Sequence, residues 1–138
     1  MSFILHPNFS KKHAIIDLSL SKVLLEDEVH YPWILLIPQK PGIQKIIDLP
    51  AEEQLLLYQE ISLAQQILWD LFSPDQINVA AIGNKTPQLH IHIVARYRKD
   101  PAWPHTVWDH PTREHYTNYQ LQVIQDLLKQ AFQNAELP

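Results

Sequence analysis

TPQLHIHIVARYR, residues 86–98, alternates aliphatic side chains with Gln88, His90 and His92. Successive side chains of a β-strand point to opposite faces, so Gln88, His90 and His92 share one face and Leu89, Ile91 and Ile93 the other. The aliphatic face is built to pack. The Gln-His-His face needs a chemical reason.

Working outward, the turn pair Gly83-Asn84 separates this strand from INVAAI (77–82), which is also β-compatible. Before that lies a long amphipathic helix. Pro50 suits a first helical residue, Glu52 and Glu53 suit the positive end of the helix dipole, and Leu57, Ile61, Ala64, Leu68 and Leu71 recur at spacings of four and three. The pattern stops near Phe72, before Ser73-Pro74. Further upstream, VHYPWILLIPQ (29–39) has a continuous apolar core from Trp33 to Ile37, as expected of a central strand packed on both faces. HAIIDLSL (13–20) and SKVLLEDE (21–28) are short β-compatible runs. Downstream, KDPAWPHTVWDHP (99–111) holds too many prolines for regular structure. Thr112 is placed to cap a last helix with Tyr116, Val123, Leu127 and Ala131 along one face. Strands, helix, two strands, helix is the order of an α+β fold: an antiparallel sheet of about five strands with one long helix and a C-terminal helix. No linker or repeat divides the chain, so residues 1–138 read as one domain.

Composition removes several function classes. The 138 residues include no cysteine, which excludes disulfides, thiolate zinc sites and a cysteine nucleophile. Gly is scarce at 2, and neither GxGxxG nor GxxxxGK occurs, so a glycine-rich phosphate loop is absent. A formal net charge of -4 disfavours long-range attraction to nucleic acid or an anionic membrane. No stretch approaches the ~20 apolar residues of a membrane span. MSFILHPNFSKK lacks the charged start and long apolar run of a signal peptide, so a cytoplasmic protein is expected.

Three chemistries fit the His-x-His face. A sheet face open to water tolerates histidine without any function. Two imidazoles at i and i+2 bind one zinc ion if a third ligand joins them, and His105, His110 and His115 lie downstream as candidates. Alternatively, a neutral imidazole attacks phosphorus while its neighbour donates a proton or a hydrogen bond to a phosphate or leaving-group oxygen. Trp103 and Trp108 either pack as loop aromatics or fold over the sheet as a wall that restricts water. Arg96, Arg98 and Lys99 suit a solvated strand end, or else add positive potential near an anionic substrate.

GNKTPQLHIHIVAR (83–96) resembles the signature of the histidine-triad (HIT) family, in which three histidines alternate with apolar residues after a Gly-Gln or Gly-Asn turn, with Arg following. YPWILLIPQ and the Asp-Leu before the long helix resemble the family too, so the likeness spans roughly residues 20 to 100. The resemblance implies a nucleotide hydrolase or nucleotidyl transferase acting at the α-phosphate through a nucleotidyl-histidine, with nucleotide as the ligand and a homodimer as the assembly. By position, His90 would be the nucleophile and His92 would contact phosphate or leaving-group oxygens. Asn84 would reach the phosphate region, Asp27 the ribose hydroxyls, and Gln88 the substrate. No metal or cofactor is required by such chemistry, although a divalent ion accompanies some polyphosphate substrates. Two departures stand out: Gln88 replaces the first histidine of the triad, and Pro32-Trp33 replaces a distal supporting histidine. They leave open a second outcome, a nucleotide-binding or interaction protein without catalysis on the same fold.

Overall fold

The computed structural model describes residues 2–110 and 113–135. Among these, five strands form one antiparallel sheet: β1 (His13–Asp17), β2 (Ser21–Leu25), β3 (Trp33–Pro38), β4 (Gln76–Ala80) and β5 (Ile91–Arg96). Their spatial order is β1-β2-β3-β5-β4. The expected α+β architecture is therefore present, with β3 and β5 central and every residue of both buried. Leu35 pairs with His92 across the β3–β5 ladder, so His92 is carried on the best-supported part of the sheet, and His90 immediately precedes β5.

One face of the sheet is covered by two helices, α1 (Ala51–Phe72) and α2 (Asn118–Asn134). Leu89, Ile91 and Ile93 belong to the core formed there, with Ile34 and Leu36 of β3 and Leu57, Ala64 and Leu68 of α1. The α1 stripe differs in detail from its sequence pattern. Leu71 is exposed and Ile61 half-buried, while Glu60 is buried among the aliphatics. The Glu60 carboxylate accepts hydrogen bonds from the Leu20 and Ser21 amides at 2.9 and 3.0 Å, tying the β1–β2 turn to the helix. Burial raises its pKa. In α2 the buried ridge is Ile124, Leu128 and Phe132, and Val123 and Leu127 are exposed. The stripe is rotated by one residue from the expected one because the i, i+4 ridge meets β1 and α1. Thr117 caps α2 in a reciprocal box with Gln120. Thr112, the expected cap, lies outside the described residues. No described helix is long and apolar enough to cross a membrane.

The opposite face is covered by irregular chain: the N-terminal segment, with Phe9, and residues 97–110. A buried charge cluster holds the second cover. Arg96 donates to both carboxylate oxygens of Asp100, at 2.8 and 3.0 Å, and to Asn78 Oδ1 at 2.8 Å. Asp100 also accepts from the Tyr97, Ala102 and Trp103 amides. Arg96 is thus not part of a solvated strand end, as expected for it, but a buried anchor that turns the chain back across the sheet. Arg98 and Lys99 are exposed.

Candidate functional site

His90 and His92 are both more than nine-tenths buried, so the face that carries them is not open water. Their rings stand 5.0 Å apart, centroid to centroid. They differ in tautomer, because each Nδ1 has a partner of fixed polarity. His90 Nδ1 lies 2.7 Å from the Gln88 carbonyl. A carbonyl only accepts, so Nδ1 carries the hydrogen and Nε2 keeps a free lone pair. His92 Nδ1 instead accepts a hydrogen bond from the Trp33 indole N–H at 3.0 Å. An indole only donates, so the His92 hydrogen sits on Nε2. One imidazole is therefore set as a nucleophile and the other as a hydrogen-bond donor.

Electrostatics sharpen the second role. Burial, followed by the neighbouring His90 and the Lys12 and Arg113 charges, pushes the His92 pKa down to about 3. His92 is neutral at physiological pH and donates a hydrogen bond rather than releasing a proton. This has a measurable consequence for folding. The unfolded chain takes up a proton at His92 near pH 6.5, whereas the folded chain does so only near pH 3. Between those values the unfolded state holds more protons, so stability rises with pH and falls on acidification, by up to ~1.4 kcal/mol per pH unit. Thermal melts at pH 7, 6 and 5 of the wild type and His92→Asn are expected to diverge. The variant keeps an acceptor for Trp33 but has no proton to gain, so its melting temperature falls less. Parallel curves would refute the buried neutral imidazole.

A cavity of about 470 Å³ opens over the pair, lined among others by Phe9, Lys12, Glu26, Lys85, Thr86 and Arg113. Lys12 pairs with Glu26, and Arg113 lies 3.9 Å from the same carboxylate. With Lys85, three cations face one carboxylate, a balance that suits an anionic ligand. Phe9 meets His90 edge-on at 5.0 Å. Trp108 meets His92 edge-on at 4.9 Å and Trp33 at 5.6 Å. The Arg113 guanidinium lies 4.8 Å from the centre of the Trp33 ring.

The other sequence candidates divide. Asn84 lines the cavity, and Trp33 and Trp108 wall it. Trp103 does not: its ring lies beside the Arg96 guanidinium, at 5.8 Å. Gln88 is absent from the lining because its side chain is used elsewhere. Its Oε1 accepts from the His6 amide and its Nε2 donates to the Ile4 carbonyl, both at 2.9 Å. It binds the chain's own N-terminal segment as a neighbouring strand would, and Trp33 is bonded to His92. Asp27 lines an adjoining cavity that shares Asn8, Lys12, Glu26 and Arg113 with the first. Its carboxylate accepts from the Tyr116 amide at 2.9 Å and meets His115 Nδ1 at 2.8 Å. Burial raises its pKa, but those two contacts and the charges of His115 and His13 leave it below the usual value. Glu26, one residue earlier, is the acid in the cavity. The period of two, counted from the buried Leu24 on the same face, points to Glu26. Lys12 and Arg113 carried no comparable signal, since chain folding alone brings them beside the strand.

Two of the candidate third zinc ligands have other partners. His110 packs against His30 at 5.9 Å and His115 is bound to Asp27. Among the described residues, no group of three or more His, Asp or Glu side chains is arranged to hold a metal ion.

A profile of the HIT domain matches residues 9–99. The chain belongs to the HIT family. A histidine triad protein from Bradyrhizobium japonicum is 37% identical, with a TM-score of 0.92 over 95% of this chain and 98% of that one. A histidine triad protein from Marinobacter aquaeolei is 36% identical, with a TM-score of 0.91 over 99% of this chain and all of that one. A hypothetical histidine triad nucleotide-binding protein from Sulfolobus tokodaii shares the fold at 14% identity, with a TM-score of 0.67 over 90% and 85% of the two chains. No curated protein matches. HIT proteins are in general nucleotide-binding hydrolases or transferases, which is the class in which this site is to be understood.

Proposed function

We propose that this HIT protein hydrolyses or transfers at the phosphorus of a nucleotide, with His90 as the nucleophile. The observation that carries this is the opposed tautomers of the two histidines, set by Gln88 O and Trp33 Nε1. His90 Nε2 attacks phosphorus, and the bond from phosphorus to the leaving oxygen or nitrogen breaks. The electron pair departs with the leaving group, which takes a proton from water. Water then attacks the nucleotidyl-histidine, releases the nucleoside monophosphate and a proton, and returns His90 to its starting form. An alcohol or phosphate in place of that water gives transfer.

His92 Nε2–H donates to a phosphoryl oxygen and stabilises the charge that develops there. Lys12, Lys85 and Arg113 add positive potential, and Asn84 has an amide that reaches the same region. The first and distal histidines of the family pattern are dispensable on this account. A backbone carbonyl orients His90 whatever side chain stands at position 88, and Trp33 fixes His92. Intact-protein mass spectrometry after rapid quenching from a nucleoside phosphoramidate or a dinucleoside polyphosphate is expected to reveal a gain of one nucleotidyl group. Absence of both adduct and product across such substrates would overturn catalysis and leave a binding protein.

Two copies are further proposed to pair along β4. Among the described residues that strand bonds only to β5, and Val79 on it is 43% exposed. Sedimentation equilibrium is expected to give twice the 16.1 kDa chain mass, and Val79→Lys to give the monomer. A monomeric wild type would exclude the pairing.

A further inference from the structure

Between Pro7 and Lys11 the chain is exposed at every position but one, Phe9, which is 3% exposed. An aromatic buried alone in an exposed run needs a surface to bury against. That surface includes the His90 ring, met edge-on at 5.0 Å. The chain that brings Phe9 there is a strap, residues 3–6, followed by a single helical turn, Pro7–Phe9. Phe3 and Leu5 pack inward on the same core as Phe9, and Ile4 is exposed. Two side chains of the segment leading into β5 tie the strap down. Gln88 clasps its backbone on both sides of Leu5, through the Ile4 carbonyl and the His6 amide. Thr86 Oγ1 accepts from Asn8 Nδ2 at 2.9 Å.

Position 88 therefore acts on the His90 ring twice. Its carbonyl accepts from Nδ1 and sets the tautomer, as any residue at 88 would. Its side chain reaches the same ring through the strap and Phe9. A hydrogen bond at one nitrogen leaves an imidazole some freedom to turn about its broad χ2 torsion, and an aromatic edge packed beside the ring narrows that freedom. We propose that the Gln88 side chain is a positioning residue for the nucleophile: it holds Phe9 against His90 and so fixes the plane from which Nε2 attacks. This rests on the reading of His90 as the nucleophile. The clasp does not act by placing charge. Lys12 adjoins β1, whose first residue His13 pairs with Leu25, and that register sets Lys12 beside Glu26. Loss of the clasp should therefore fall on kcat and not on nucleotide affinity.

The test sets Gln88→Ala, Phe9→Ala and the double variant beside the wild type. Each single change is expected to lower kcat for a nucleoside phosphoramidate by about ten- to a hundredfold, the scale of a small misplacement of a reacting atom. The calorimetric Kd for adenosine monophosphate is expected to stay within about twofold. The double variant should fall no further than either single one, because both remove the same constraint. Long-range proton–nitrogen NMR spectra of the imidazoles read the cause without chemistry. A turning ring breaks its bond to the Gln88 carbonyl, so in each variant the His90 nitrogen signals should move from those of one tautomer toward the average of two. Those of His92, held by Trp33, should stay in place. Circular dichroism melts confirm the fold, and Gln88→Met, of similar length but with neither bond, takes the place of Gln88→Ala if that variant unfolds. An unchanged kcat without the clasp, additive losses in the double variant, or equal movement of the His90 and His92 signals overturns the proposal. A wild type without turnover whose His90 signals alone respond to the two variants would sink the nucleophile and keep the clasp.

Discussion

Replacing His90 with Ala is expected to lower turnover of a nucleoside phosphoramidate by a factor on the order of 10⁴ and to abolish the adduct. Removing a nucleophile takes away the covalent route itself, so the loss should fall on kcat, with KM changed little. Nucleotide binding should survive, because the cations that suit the phosphate, Lys12, Lys85 and Arg113, are untouched. Stopped assays with equilibrium binding on the same sample separate the two. A His90→Ala protein that retains a tenth of wild-type kcat would show that the nucleophile lies elsewhere. Weak residual turnover is compatible with the charge stabilisation supplied by His92.

The largest effect on stability is expected at Asp100. Asp100→Ala leaves the Arg96 guanidinium, which is 2% exposed, with Asn78 as its remaining partner, takes the acceptor from the Tyr97 and Ala102 amides, and leaves the Trp103 amide only the carbonyl of residue 100. Breaking one partner of a buried ion pair costs about 3 to 5 kcal/mol. For a chain of this length that lowers the melting temperature by roughly 10 to 15 °C. Chemical denaturation with a linear fit measures it. A loss below about 1 kcal/mol would mean that the cluster is solvated and that residues 97–110 are held by Val107 and Trp108 alone. The same variant should weaken catalysis indirectly, since Trp108 reaches His92 only through that stretch of chain.

Much of this was legible in the sequence, and the limits have physical causes. Alternation along 88–93 assigned the faces of β5, because a strand's period is two and the run is strict. The apolar run of β3 announced a central position. Helical stripes were less secure: in α2, Val123 and Ile124 are adjacent and similarly apolar, and only packing against β1 and α1 selects Ile124. Glu60 was invisible because a carboxylate on an apolar stripe makes sense only once the β1–β2 turn is known to meet it. Within the site, His90, His92 and Asn84 could be named because they lie in β5 and the segment that leads into it. Glu26 is marked only by its period-of-two offset from Leu24, and Lys12 and Arg113 come from distant segments that nothing local marks. Asp27 and Gln88 have side chains suited to a ligand, but other parts of the same chain already occupy them.

That occupancy at position 88 bears on mutational history. Introducing His at 88 would complete the triad on paper. An imidazole cannot reproduce both bonds of the amide, which accepts from His6 and donates to Ile4 with the two atoms of one planar group. Trp33 in turn is bonded to His92. A change at 33 made first would release His92 before any replacement was in place. Each single change at 88 or 33 thus removes a hydrogen bond before another can replace it, which couples the two positions through the segments they hold.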